Sequence, residues 1–189
     1  MGWHAFGGTR CSLVWSTKTK LLCSCMLEMV LDYARERNGS GVPRLSIKTI
    51  ARVVKTKFEG TAPKDVENLN RLLYRSRPSV KFKAEFMGRF PTVEKELIEY
   101  RPVIVWINSV DPPDIVWHAV VVYGFQPETN HVLFRDPENK NPRDMEVGMF
   151  VDKWGIQARL IKVIIGEKEQ THIVDWATTT SIEEEITNE

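Results

Sequence analysis

Apolar and polar positions separate the chain into a helical first half and a strand-rich second half. Residues 21–34 are nearly all apolar except Ser24, Glu28 and Asp32, which recur four residues apart. That spacing places the three polar side chains on one narrow stripe, so the pattern predicts a helix that is buried on most sides. The Asn-Gly pair at 38–39 supplies a stop signal for this helix.

Three shorter helices follow. Apolar residues at intervals of three and four predict one over 45–56. Thr61 is expected to cap the next, which ends near Tyr74, and Thr92 is expected to cap the last, over 92–100.

Segments rich in β-branched and aromatic residues predict strands over 80–86, 102–108, 117–125, 131–136 and 158–166. The polar turn QPETN joins the third and fourth of these segments as a hairpin, and short connections favour antiparallel pairing. The fold class expected is therefore α+β, with N-terminal helices packed on a C-terminal antiparallel sheet.

Length and composition are those of one domain. The chain has 189 residues, of which 42% are hydrophobic, enough for one sizeable core. We expect an N-terminal extension over 1–19, a single domain over 20–166 and an acidic tail over 167–189.

Charge and cysteine content exclude several classes of function. A formal net charge of +1 gives no reason to expect a nucleic-acid partner. Glu28 and Asp32 leave the first apolar run too charged for a signal sequence or membrane span. Three cysteines disfavour a disulfide framework, so we expect a soluble cytoplasmic protein whose partner is a small molecule or a peptide.

A cysteine near a helix start, a histidine on a strand and an acid one strand later are the residues that thiol catalysis requires. Cys23 and Cys25 lie near the start of the first predicted helix, and His118 lies on the strand that the predicted hairpin sets beside Asp136. A thiol at a helix N-terminus becomes more acidic. Taken singly, each residue also has an ordinary explanation, such as a buried core cysteine or the turn formed by Asp136 and Pro137.

The two cysteines cannot both face the histidine. A helix turns by about 100° per residue, so Cys23 and Cys25 point about 200° apart. Cys23 is nearer the helix start, where the dipole effect is largest, and is favoured as nucleophile, with Cys25 as the alternative.

Several stretches resemble one family. MVLDYARE, LSIKTIARVVKT with GTAP, TVEKELIEYRPVIVWIN, WHAVVVYGF, VLFRDP and FVDKW together span most of residues 20–155. They resemble the bacteriocin-leader-processing cysteine peptidases and their stand-alone relatives, the "peptidase thirty-nine-like" branch of the papain-like superfamily. The resemblance implies a papain-like fold and hydrolysis of peptide bonds in a peptide or protein substrate, with His118 as general base and Asp136 as its orienting partner.

The resemblance does not decide which residue is the nucleophile, because the chain can be aligned with the family in more than one way. The family opens its helix with Cys-Gly-x-Ala, and counting back from Met29 without a gap places that cysteine at Leu22. Shifting the alignment by one residue in the first turn places the family's cysteine at Cys23. Matching Ser-Cys-Met to the papain-type Ser-Cys-Trp instead makes Cys25 the nucleophile. The family's oxyanion glutamine is replaced by WSTKTKLL, in which Thr17 or Thr19 could donate the hydrogen bond instead.

Other functions remain open beside hydrolysis. One is a catalytically degenerate peptide-binding or regulatory module, and another is acyl transfer by the same three residue types. No cofactor or metal is expected, because the spacing of Cys23 and Cys25 is not that of a zinc site and the remaining histidines are scattered.

Overall fold

The computed structural model describes residues 22–38, 41–57, 60–76, 79–108, 117–139, 141–155 and 158–166. Its helices are α1 (Leu22–Asn38), α2 (Ile47–Val53), α3 (Pro63–Val66), α4 (Asn70–Leu73), α5 (Phe90–Ile98) and α6 (Val147–Trp154), with a 3₁₀ turn at Glu67–Leu69. Its strands are β1 (Val80–Glu85), β2 (Val103–Asn108), β3 (Trp117–Gln126), β4 (His131–Arg135), β5 (Arg143–Glu146) and β6 (Leu160–Ile165). The expected extension over 1–19 and tail over 167–189 lie outside the described residues.

The six strands form one antiparallel sheet in the order β1-β6-β2-β3-β4-β5. A hydrophobic cluster on one face contains most of the buried side chains of α1, and a second cluster on the other face contains those of α5 and α6. Strand β2 is buried along almost its whole length, which explains its unbroken apolar run VIVWIN. The fold is therefore α+β with N-terminal helices and an antiparallel sheet, and the predicted class is confirmed.

Helix α1 is as buried as its apolar pattern predicts. The side chains from residue 23 to residue 27 are all buried, and Ser24 on the polar stripe bonds through its hydroxyl to Thr56 at 3.3 Å. Glu28 and Asp32, on the same stripe, keep partial contact with solvent. Among the described residues, no helix is long and apolar enough to cross a membrane.

Side chains from the 3₁₀ turn and from α4 cover the outer edge of β1. Asn70 accepts from the N–H of Phe82 at 2.8 Å and donates to its carbonyl at 2.9 Å, in the manner of a neighbouring strand. Glu67 accepts from the N–H of Ala84 at 2.9 Å. Backbone groups that would otherwise form an open sheet edge are thereby bonded.

Both predicted helix caps are wrong. The third predicted helix is capped by Ala62 and not by Thr61, whose hydroxyl instead bonds the hydroxyl of Thr56 at 2.8 Å. Helix α5 begins at Phe90, two residues before Thr92, because a proline in its first turn fits a helix start. Strand β5 was not predicted, and helix α6 was anticipated only as the short element FVDKW that the family resemblance implies.

Candidate active site

The structure brings two of the three predicted triad residues together. His118 lies near the start of β3, opposite Ile107 of β2, and Asp136 directly follows β4. The ring Nε2 of His118 lies 2.7 Å from Oδ1 of Asp136. Since the two residues are only 8% and 6% exposed, the bond between them is shielded from water.

A β-bulge in β3 decides on which face of the sheet Asp136 lies. The pairing of β3 with β4 shifts by one residue between Val122 and Gly124. On the Asp136 side of the bulge, Arg135 pairs with Val121. Continuing this register by one residue places Asp136 opposite Val120, on the same face as His118. Without the extra residue, Asp136 would slip to the other face. The glycine inside this strand is the sequence signal that could have revealed the bulge.

The carboxylate of Asp136 is held in its ionised form. Burial raises its pKa, but hydrogen bonds from His118, the Glu138 backbone and Asn139 outweigh burial, and the pKa falls from 3.8 to about 2. The Glu138 N–H lies 2.9 Å from Oδ1, and Asn139 Nδ2 lies 2.6 Å from Oδ2. Arg143 Nη1 is 3.5 Å from Oδ2. Sequence reasoning missed these three neighbours, which come from the turn after β4 and from β5.

The ionised carboxylate fixes the tautomer of the histidine. A carboxylate can only accept a hydrogen bond, so His118 Nε2 carries the proton in its bond to Asp136. In the neutral ring, Nδ1 is then unprotonated and can take a proton from a thiol. Asp136 also stabilises the imidazolium that this transfer creates. The pair is thus arranged as a general base with its orienting acid.

Cys23 occupies a different environment. It lies in the first turn of α1 and is 7% exposed. Burial raises the pKa of its thiol from 9.0 to about 12, and a hydrogen bond with Thr61 offsets this only in part. The helix start was expected to make the thiol more acidic, but desolvation has the larger effect in the structure.

The thiol of Cys23 ends a short series of buried polar groups. Thr61 bonds both the thiol and the hydroxyl of Thr56, which in turn bonds Ser24. Across the ranges that the structure describes, no hydrogen bond joins Cys23 to His118. The identity of the nucleophile therefore stays a prediction.

The two halves of the predicted triad also pack against different faces of the sheet. Cys23 belongs to the cluster that contains α1 and Ala119 of β3. Val120, which shares a face with His118, belongs to the cluster beneath α5 and α6. Cys23 therefore packs on the face of β3 opposite to that of His118.

The remaining predicted residues are Cys25, Thr17 and Thr19. Cys25 is 1% exposed and is disulfide-bonded, a state that the three cysteines did not lead us to expect. Among the described cysteines, Cys23 is the free one. Thr17 and Thr19 lie outside the described residues.

The donor atoms of His118, Asp136 and Glu138 all lie within 4.8 Å of one another. Such a set could in principle hold a metal ion, but His118 Nε2 and Asp136 Oδ1 are already bonded to each other at 2.7 Å. The geometry fits a base and its orienting acid better than a pair of metal ligands.

N-terminal helices packed on an antiparallel sheet, with a buried histidine on one strand bonded to an aspartate that directly follows the next, are features of the papain-like cysteine protease class. The family described as the papain-like cysteine protease AvrRpt2 matches residues 29–155, about two thirds of the chain. The chain belongs to this family. The matched segment contains His118 and Asp136 and begins after Cys23 and Cys25.

Solved structures share the fold at low sequence identity. A protein described as a C39-like peptidase from Bacillus anthracis aligns with a TM-score of 0.59 and 14% identity, covering 79% of this chain and 90% of its own. The peptidase domain of Streptococcus ComA, a bifunctional ABC transporter involved in quorum sensing, aligns with a TM-score of 0.51 and 19% identity. The alignment covers 80% of this chain and 95% of the ComA domain. Among curated proteins, none matches the chain significantly.

Proposed function

We propose that this protein is a cysteine peptidase that hydrolyses peptide bonds through Cys23, His118 and Asp136. The observation that carries the proposal is the buried bond between His118 Nε2 and Asp136 Oδ1. It orients the ring, fixes the tautomer and leaves Nδ1 as the basic atom. Membership of the papain-like cysteine protease family supports the same chemistry.

The reaction uses each group in turn. His118 takes the thiol proton, and the Cys23 sulfur attacks the peptide carbonyl carbon. The carbon–nitrogen bond then breaks while His118 returns the proton to the leaving amine, which leaves an acyl thioester. Water, deprotonated by His118, attacks this thioester, releases the carboxylic acid and restores the thiol.

Attack requires the thiol to exchange its present partner for His118. At rest, the thiol bonds to Thr61 and burial raises its pKa to about 12. A peptide bound across the end of β3 would bring the reacting groups together, since catalytic hydrogen bonds often tighten only when substrate is bound. General alkylation of the resting thiol is thus expected to be slow, whereas a peptide-like electrophile that occupies the cleft is expected to trap it.

The test is covalent trapping by a peptidyl vinyl sulfone library, with the modified residue located by mass spectrometry. Wild-type protein is expected to be modified at Cys23. In His118→Ala the rate of this modification is expected to fall by about 100-fold or more, because the general base is absent. His131→Ala is a matched control, because His131 also bonds an aspartate, Asp144, but at an exposed position. Trapping that is equal in all three proteins would contradict the proposal.

A second candidate is a peptide-binding module that keeps the cleft without the chemistry. The observation in its favour is the environment of Cys23, which is buried, hydrogen-bonded to Thr61 and raised in pKa. The resemblance offers a discriminating variant, because the ungapped register places the family's cysteine at Leu22 and its glycine at Cys23. If the double variant Leu22→Cys, Cys23→Gly is trapped and the wild type is not, the chain is a binding module that has lost its nucleophile.

A further inference from the structure

A second carboxylate borders the His118–Asp136 pair and has no role in the mechanism above. The Glu138 carboxylate lies within 4.8 Å of the donor atoms of both residues, and its side chain is exposed to solvent. Its backbone N–H donates to Asp136 Oδ1 at 2.9 Å, which fixes the position of its Cα. The Glu138 carboxylate therefore lies beside the His118–Asp136 pair, where it is open to solvent.

The Glu138 carboxylate is a negatively charged group at an exposed position. Among the described residues, no lysine or arginine forms an ion pair with it. Arg143 is directed at Asp136 Oδ2 at 3.5 Å and offsets the charge of that residue. The described part of the site thus presents a carboxylate without a basic ion-pair partner beside the histidine.

Acid catalysis by His118 determines which part of a substrate passes Glu138. The histidine gives its proton to the leaving amine, so that nitrogen must lie within hydrogen-bond reach of the ring. The residue that follows the scissile bond carries its side chain on the carbon attached to this nitrogen. A lysine or arginine there can extend the few ångströms that separate the ring from the Glu138 carboxylate.

We infer that Glu138 is a specificity-determining residue, which selects substrates with lysine or arginine immediately after the scissile bond. The inference rests on the proposed peptidase function and adds the class of substrate that the site prefers. An exposed pair of opposite charges contributes modestly, so the preference over a neutral residue is expected to be about 5-fold and to weaken at high salt.

The experiment is a digest of a decapeptide library, followed by mass spectrometry of the new N-termini. Wild-type protein is expected to enrich lysine and arginine at the first residue of the released fragment. Glu138→Gln is expected to lose that enrichment, and Glu138→Lys is expected to favour acidic residues. Glu128→Gln is the matched control, because Glu128 is an exposed glutamate in the turn at the other end of β3.

The outcomes separate the inference from the proposed function. Cleavage with the same preference in wild type and Glu138→Gln overturns the inference and leaves the peptidase function in place. If no protein cleaves any peptide, the proposed function fails. Fluorescence anisotropy with labelled lysine-containing and glutamate-containing decapeptides then tests whether Glu138 recognises a positive charge. A preference for the basic peptide that Glu138→Gln loses supports the charge recognition, whereas equal binding or no binding overturns it.

Discussion

The ionised state of Asp136 makes a measurable contribution to the stability of the fold at neutral pH. Hydrogen bonds in the folded protein overcome the effect of burial and lower its pKa from 3.8 to about 2. One pKa unit corresponds to about 1.4 kcal/mol, so the lowered pKa stabilises the folded state by about 2 kcal/mol once the carboxyl group is ionised in both states.

The sign follows from the direction of the pKa shift. A depressed pKa means that the unfolded state binds the proton more readily, so acid favours unfolding. The contribution of Asp136 is complete above about pH 5 and is lost as the pH falls from 3.8 toward 2. Asp136→Asn keeps the shape of the side chain but cannot ionise, so this part of the pH dependence should be absent from the variant.

Urea unfolding followed by tryptophan fluorescence at pH 6, 5, 4, 3 and 2.5 measures the effect. The difference in unfolding free energy between wild type and Asp136→Asn is expected to shrink by about 2 kcal/mol over this range. Other carboxylates contribute equally to both proteins and cancel in the difference. Asp152→Asn, at an exposed position of α6, controls for the loss of one negative charge. A difference that stays constant with pH would refute the reasoning.

Other contacts lead to independent predictions. Iodoacetamide should alkylate native Cys23 at pH 7.5 about 1,000-fold more slowly than the urea-unfolded protein, because burial raises its pKa to about 12; equal rates would refute the buried thiol. Asn70→Ala should lower the unfolding free energy by about 1–3 kcal/mol in urea, since the N–H and carbonyl of Phe82 lose both their partners. Leu69→Ala should lower the unfolding free energy by about 2–5 kcal/mol, because Leu69 is fully buried. Leu72→Ala, at a position that is 42% exposed, should lower it by less than about 0.5 kcal/mol, and similar losses in the two variants would contradict the assigned core.

Sequence patterns were informative where burial repeats over many residues. The polar stripe of Ser24, Glu28 and Asp32 marks the less apolar side of α1, on which Glu28 and Asp32 are half-buried and Ser24 is buried, and long apolar runs identify β2 and β3. Boundaries that depend on a single residue were not predictable in this way. Thr61 has a good capping side chain, but its hydroxyl is used in the core, where bonding a buried thiol and hydroxyl avoids leaving them unsatisfied.

The surroundings of the site were harder to predict than its two central residues. Strand β5 is short and half exposed, so the sequence RDME has no alternating apolar pattern that would identify it. Arg143, which begins this strand, therefore could not be placed near Asp136. Asn139 and Glu138 bond Asp136 through the geometry of one turn, which depends on backbone angles that a sequence pattern does not specify.

The base and the nucleophile of a papain-like site depend on different parts of the fold. His118 and Asp136 are joined through one hairpin and its bulge, and the hydrogen bond between them uses no side chain of α1. Changes in the first turn of α1 can thus remove a nucleophile while the histidine and aspartate remain paired. The intact pair is expected in an active peptidase and in a binding module alike, so chemical reactivity at the start of α1 is the property that distinguishes the two.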